Sequence, residues 1–141
     1  MKILVVCTGN TCRSPMAGGL LQKMGSDIAV PLEVRTAGLS HHPNKAVAKN
    51  AVIVMKEVHI DISNEFSKPV TSEAVEWADT IIFLQHDHAD YFREEFPMAE
   101  SKIRILERDV ADPFCGPIGK YREVREDLAQ QLSPFVRSIA E

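Results

Sequence analysis

The chain opens without a long apolar run. Ile3 to Cys7 is apolar, but it stops after five residues at Thr8-Gly9-Asn10. That is too short for a signal-peptide core and far too short to span a membrane, so a cytoplasmic protein with no membrane partner is expected. An excess of basic charge is also missing: 16 Lys+Arg stand against 20 Asp+Glu, for a net charge of −4. A broad nucleic-acid-binding surface is thereby excluded, although a local basic pocket is not. Cysteine is sparse and odd in number, with Cys7, Cys12 and Cys115 alone, which suits a reducing compartment better than a disulfide scaffold. No repeat, low-complexity tract or linker divides the sequence. What is present is 45% hydrophobic and 26% charged residues of mixed sign over 141 positions, enough to bury a core and to exclude general disorder. One globular domain over 1–141, monomeric, is the expectation.

Apolar runs alternate with longer amphipathic stretches. Ile3–Val6, Leu32–Ala37, Thr80–Leu84 and Lys102–Leu106 have the length of strands, and the first is continuous as a strand buried on both faces should be. Helices are predicted between them: one starting at Ser14-Pro15 with Ser14 as N-cap, then Asn44–Lys56, Thr71–Ala78 and Asp87–Phe96. A last helix carries Tyr121, Val124, Leu128, Leu132, Phe135, Val136 and Ile139 on one stripe. Gly18 and Gly19 should weaken the first helix by about 1 kcal/mol each relative to Ala. They are either tolerated there or permit close backbone packing. This alternation predicts an α/β fold: a single-domain, three-layer structure with a four-stranded parallel sheet and helices on both faces, flavodoxin- or Rossmann-like. In such sheets ligands bind at the carboxyl ends of the strands, where the connections diverge.

That rule points to the loop Cys7-Thr8-Gly9-Asn10-Thr11-Cys12-Arg13-Ser14. Successive backbone N–H groups in a tight loop before a helix N-terminus favour a phosphate-like oxyanion. Gly9 and Asn10 are the residue types that tolerate the positive φ such a loop needs. Arg13 can offer a bidentate fork to two phosphate oxygens. The same positive environment favours the thiolate of Cys7, which beside a bound phosphoryl group is a nucleophile. Ser14 can hydrogen-bond that sulfur and help it leave afterwards. The plain alternative is a buried strand-end cysteine and a surface arginine; the strand before and helix after weigh against it.

The segment Val6-Cys7-Thr8-Gly9-Asn10-Thr11-Cys12-Arg13-Ser14-Pro15 resembles the phosphate loop of the low-molecular-weight protein tyrosine phosphatases. The likeness extends to Thr36-Ala37-Gly38, to Asp112-Pro113-Phe114 and to Tyr121–Leu128, and so spans the chain. A nucleotide P-loop is not the source, because no G-x-x-x-x-G-K-S/T motif is present. The resemblance implies that Cys7 forms a phosphocysteine and that Arg13 binds the phosphate and its transition state. It implies that Asp112 protonates the leaving group and then activates water, with no cofactor and no metal required. Taken alone, Asp112-Pro113 reads as a turn; its place relative to the cysteine loop favours catalysis. Thr8, Gly9, Asn10, Thr11 and Cys12 would line the substrate site. Cys12 would also protect Cys7 through a reversible disulfide, against a merely structural alternative. In the family a histidine upstream of the third strand braces the counterpart of Asn10. Here the stretch Asp61–Phe66 has none, leaving Asn64 or Glu65 as candidate substitutes.

Two departures bear on substrate. Thr11 stands where most tyrosine-specific members carry a large aliphatic residue, and Phe114-Cys115 stands where they carry paired tyrosines. Thr11 with Asp112-Pro113-Phe114 resembles the bacterial protein-arginine phosphatase branch. A smaller side chain with a hydroxyl suits a polar guanidinium better than a phenyl ring, and Phe114 would pack against the substrate. The expected substrates are phosphorylated proteins, with phosphoarginine slightly favoured and phosphotyrosine hydrolysis by an ordinary family member as the alternative. Arsenate reduction is disfavoured, since the relevant segment Phe83–His88 lacks the two further cysteines. A non-catalytic phosphoprotein-binding module is disfavoured because Cys7, Arg13, Ser14 and Asp112 are all retained. His86 and His88 are expected on a solvated loop rather than at a metal. His41, His42 and His59 are expected at the surface, with the His41-His42 loop a secondary candidate for substrate contact. Trp77 is expected in the core, and Glu94-Glu95 and Glu123 with Glu126-Asp127 on solvated helix faces.

Overall fold

The computed structural model describes residues 1–40 and 42–141. Strand β1 (Lys2–Cys7) leads through the cysteine loop into helix α1 (Arg13–Asp27), followed by β2 (Glu33–Gly38) and α2 (Lys49–Lys56). Then come α3 (Ser72–Trp77), β3 (Thr80–Phe83), α4 (His86–Glu95), a 3₁₀ turn (Pro97–Lys102), β4 (Ile103–Ile105) and α5 (Ile118–Ala140). The strands pair in parallel in the order β2-β1-β3-β4. From β1 the chain steps to one side for β2, then returns to the other side for β3 and β4. The switch point, and hence the ligand crevice, therefore lies at the carboxyl ends of β1 and β3.

Alternation along β1 builds two cores. Ile3, Val5 and Cys7 join Met16, Ala17 and Leu21 of α1 and Tyr121, Val124, Leu128 and Leu132 of α5 on one face. Leu4 and Val6 meet Val75, Phe83, Phe92 and Phe96 on the other. There the Phe92 ring lies 5.0 Å from both Phe83 and Phe96. A strand buried on both sides is the reason its sequence is a continuous apolar run rather than an alternating one. The close-packing reading of the α1 glycines holds: a Cβ on Gly18 would lie 2.8 Å from Thr36 Cγ2, and one on Gly19 2.8 Å from Ile60 Cγ2.

Several expectations are corrected. Ser14 is not an N-cap; α1 begins at Arg13, two residues earlier than a Ser14 cap would give, and Ser14 is fully buried in its first turn. Helix α2 starts at Lys49 rather than Asn44, because Asn44 turns with φ 63° and Ala46 bridges antiparallel to Phe66. Asn44 N–H donates to the Ser67 carbonyl at 2.8 Å and Lys45 N–H to the Ser67 hydroxyl at 2.8 Å. His86 and His88 lie on the first turn of α4, not on a solvated loop. Thr71 does cap α3, accepting from Ala74 N–H at 3.1 Å. Trp77 is only half-buried, with the Arg35 guanidinium 4.1 Å above its ring. Glu94, Glu95, Glu123 and Glu126 are exposed as expected, Glu126 pairing with Arg125 at 2.8 Å, while Asp127 is half-buried and tied to Arg108 at 2.8 Å. Among the described residues no helix is long and apolar enough to cross a membrane.

Candidate active site

Cys7 ends β1 with its sulfur buried at the crevice. Its sulfur accepts from Asn10 N–H at 3.3 Å, and its thiol donates to the Ser14 oxygen at 3.0 Å. Asn10 Nδ2 donates to the same Ser14 oxygen at 2.6 Å, so that oxygen accepts from both, and its own proton can turn to the sulfur once the thiol proton is gone. Asn10 reaches these partners because it adopts φ 56°, the left-handed turn expected of it; Gly9 does not take positive φ.

The brace on Asn10 is a backbone group. Its Oδ1 accepts from Lys68 N–H at 2.9 Å, whereas Asn64 and Glu65 are exposed. Lys68 is itself placed by Gly38, whose N–H donates to the Lys68 carbonyl at 2.8 Å. The outer side of the loop is fixed in the same way, with Leu39 N–H on the Cys7 carbonyl, Ser40 N–H on that of Thr8 and Ala48 N–H on that of Thr11. Gly38 packs so tightly here that a Cβ would sit 2.8 Å from the Thr8 oxygen and 3.1 Å from the Gly9 carbonyl carbon. Both are backbone atoms and cannot swing aside. Gly38→Ala is therefore expected to weaken competitive inhibition by inorganic phosphate about tenfold and to cost about 1–3 kcal/mol of stability. Inhibition constants and thermal midpoints measured on the same preparations check both halves.

Arg13 is buried and its guanidinium is locked. Nη1 donates to Gln85 Oε1 at 2.8 Å and to the Val110 carbonyl at 2.9 Å, while Nη2 reaches Thr8 Oγ1 at 3.4 Å. Asp112 Oδ2 stands 3.8 Å from Nη2. Asp112 is exposed, and its Oδ1 accepts from Phe114 N–H at 3.1 Å, so the turn that Asp-Pro suggests is the device that presents the carboxylate. Cys12 lies beneath the loop, 3.5 Å from the Tyr121 hydroxyl and 3.9 Å from Thr11 Oγ1. Burial pushes its thiol pKa up, opposed by the bonds to Tyr121 and Thr11. Burial, followed by the bond to Cys12, raises the Tyr121 phenol as well.

A cavity of about 350 Å³ brings these groups together, lined by Cys7 to Arg13 with Ser40, His42, Lys45, Asp112 and Phe114. Every sequence-predicted site residue except Ser14 lines it, and Ser14 sits behind Cys7. His42 is at the rim, while His41 lies outside the described residues. Cys115 is exposed just beyond Phe114 with φ 60°. Gln85, His88, Ser40, Lys45 and the Val110 carbonyl were missed by sequence reasoning. The signal for Gln85 and His88 was position, since both follow the carboxyl end of β3 at the switch point. A larger groove of about 680 Å³ runs between α1 and residues 59–68. It holds no thiol, and its cations Lys23, Arg35 and Lys68 are offset by Asp61 and Glu65. Among the described residues no group of three or more His, Cys, Asp or Glu side chains is placed to hold a metal ion.

A strand-end thiol, an anion-sized loop before a helix and a locked guanidinium make up the site of a cysteine-dependent protein phosphatase. The chain belongs to the low molecular weight phosphotyrosine protein phosphatase family, whose family model matches residues 2–141. It is 34% identical to the protein-arginine-phosphatase of Bacillus subtilis, over 99% of this chain and 97% of that one. It is also 41% identical to the arsenate reductase of Bacillus subtilis, over 96% of this chain and 95% of that one. Among solved structures it superposes on the YwlE arginine phosphatase, as a cysteine-to-serine mutant with a phosphorylated active-site serine. There the TM-score is 0.96 and the identity 32%, covering 100% of this chain and 97% of the other.

Proposed function

We propose that this enzyme removes phosphoryl groups from proteins through a phosphocysteine on Cys7, with phosphoarginine preferred over phosphotyrosine. The phosphoryl group sits in the loop of Thr8, Gly9, Asn10, Thr11 and Cys12, held by loop amides and by the outward face of Arg13. The Cys7 thiolate attacks phosphorus, the P–N or P–O bond breaks, and the Asp112 carboxyl delivers its proton to the departing nitrogen or oxygen. Water then attacks the phosphocysteine, Asp112 takes up the water's proton, and the S–P bond breaks to release inorganic phosphate. Ser14 stabilises the sulfur as it leaves. When a peroxide oxidises Cys7 to the sulfenic acid, the Cys12 thiol condenses with it, expelling water and forming a protective disulfide. The protein works as a cytoplasmic monomer without nucleic-acid or metal partners, in keeping with its acidic charge.

The observation that carries the substrate preference is Thr11, a loop residue that lines the same cavity as Asp112 and Phe114. Its branched but short side chain leaves width and a hydroxyl where an apolar ring would need a larger aliphatic wall. The arginine phosphatase relatives support the same reading, and the absence of cysteine from residues 83–88 weighs against arsenate reduction despite the reductase relative. Phosphate release from phosphoarginine and phosphotyrosine peptides at equal enzyme tests it. Faster phosphoarginine turnover is expected, and Thr11→Ile should move the ratio of the two kcat/KM values about tenfold towards phosphotyrosine. A ratio unchanged by the substitution would return the enzyme to the ordinary tyrosine-phosphatase reading.

A further inference from the structure

His88 faces the site from the first turn of α4, and the reaction as written gives it nothing to do. Its Nε2 lies 2.8 Å from Thr8 Oγ1. Its Nδ1 is the one buried side-chain polar atom without a hydrogen-bond partner among the described residues. Those two facts fix the proton. A ring protonated on both nitrogens would leave a buried N–H unpaired and place a second cation near Arg13. The Nδ1–H tautomer would also strand a donor. The Nε2–H tautomer strands only a lone pair and donates to Thr8. Burial and the Arg13 guanidinium hold the imidazolium pKa below its usual value, against the opposite pull of Asp87, Asp109 and Asp112.

Thr8 Oγ1 then accepts twice, from His88 Nε2–H and from Arg13 Nη2–H at 3.4 Å. A hydroxyl with both lone pairs engaged has one group left, its own proton, and Thr8 is exposed on the wall of the phosphate cavity. We propose that His88 is a positioning residue that turns the Thr8 hydroxyl proton into the cavity, making Thr8 a hydrogen-bond donor to a phosphoryl oxygen. The inference rests on the phosphatase reading of the cavity but not on which phosphoryl compound is preferred. Because the contact is made to bound phosphate and to the transition state alike, it supplies uniform binding: it lowers KM without raising kcat.

Two measurements test it on the intact protein. The ¹⁵N–¹H correlation spectrum of the histidine rings at pH 7 should show His88 neutral with its proton on Nε2. An Nδ1–H ring would have Thr8 donating to histidine and would overturn the proposal. Kinetics with para-nitrophenyl phosphate and inhibition by inorganic phosphate then compare His88→Phe, His88→Gln, Thr8→Val and the Thr8→Val/His88→Phe double variant. The Phe and Val variants should each raise KM and the phosphate inhibition constant about tenfold, with kcat within about threefold of the parent. Gln, which keeps an N–H at similar reach, should recover most of the loss, and the double variant should be no worse than Thr8→Val. A Phe effect persisting in full without the Thr8 hydroxyl, or unaltered phosphate inhibition in Thr8→Val, overturns it; should the Phe variant not fold, the Val variant and the spectrum still decide. An inactive parent enzyme would instead count against the phosphatase reading, which keeps the two failures apart.

Discussion

Cys7→Ser is expected to lower kcat by about 10⁴-fold or more while leaving the fold in place. The groups within hydrogen-bond reach of the sulfur are Asn10 N–H, which donates to it, and the Ser14 hydroxyl, which accepts from the thiol and can turn to donate to a thiolate. Neither is a base. Serine nucleophiles work where a neighbouring base removes the hydroxyl proton, and among the described residues no histidine or carboxylate is bonded at this position. A thiol needs less help, because sulfur is intrinsically the stronger nucleophile. Substitution should therefore remove the nucleophile and little else: serine is slightly smaller, and its hydroxyl keeps a partner in Ser14, so a stability change of about 1 kcal/mol or less is expected. Steady-state turnover of para-nitrophenyl phosphate together with the thermal midpoint checks both statements. Residual turnover within tenfold of the parent would assign the chemistry to another group.

The cysteine loop of the candidate site was legible because its parts lie in one contiguous segment. Residues 7–14 carry thiol, turn, guanidinium and hydroxyl at spacings that need no tertiary structure to interpret. The strand before and helix after the loop were also readable, since a strand buried on two faces writes itself as an unbroken apolar run. Ser14-Pro15 shows the limit of such signals. The residue type was that of a cap, but its hydroxyl is used by Asn10 and Cys7 rather than by a helix amide, and the helix starts at Arg13. Local propensity could not foresee that a buried sulfur would compete for the same oxygen.

What was not legible came from elements remote in sequence. Gln85 and Val110 hold Arg13 across separations of 72 and 97 residues, and Val110 does so with a carbonyl that any residue would supply. His88 looked like half of a weak metal motif, and only the switch point between β1 and β3 brings it against Thr8. The predicted helix from Asn44 failed for the same kind of reason. Ser67 exchanges backbone bonds with Asn44 and Lys45, taking up groups that a longer helix would have used. The missing family histidine was a real gap in the sequence, and the fold closes it with the Lys68 amide, a group every residue but proline carries.

Asp112→Asn is expected to lower kcat/KM for phosphoarginine or phosphotyrosine peptides by about 10²- to 10⁴-fold, and much less for an aryl phosphate with an acidic phenol. The asymmetry follows from what the leaving atom needs. A guanidine nitrogen or an ordinary phenol departs poorly without a proton, whereas a nitrophenolate departs as the anion. Asp112 is exposed, its Oδ1 anchored by Phe114 N–H and its Oδ2 turned towards Arg13 at 3.8 Å, so asparagine can keep the turn and the shape while losing the transferable proton. The second half of the cycle gives an independent signature. With no carboxylate to accept a proton from water, hydrolysis of the phosphocysteine slows even when its formation does not. Rapid-mixing experiments with para-nitrophenyl phosphate should therefore show a burst of nitrophenol equal to the enzyme present, followed by slow turnover. Equal losses on every substrate with no burst would make Asp112 a structural turn residue, and the proton would have to come from elsewhere. A burst together with a steep leaving-group dependence would place one carboxyl group in both steps.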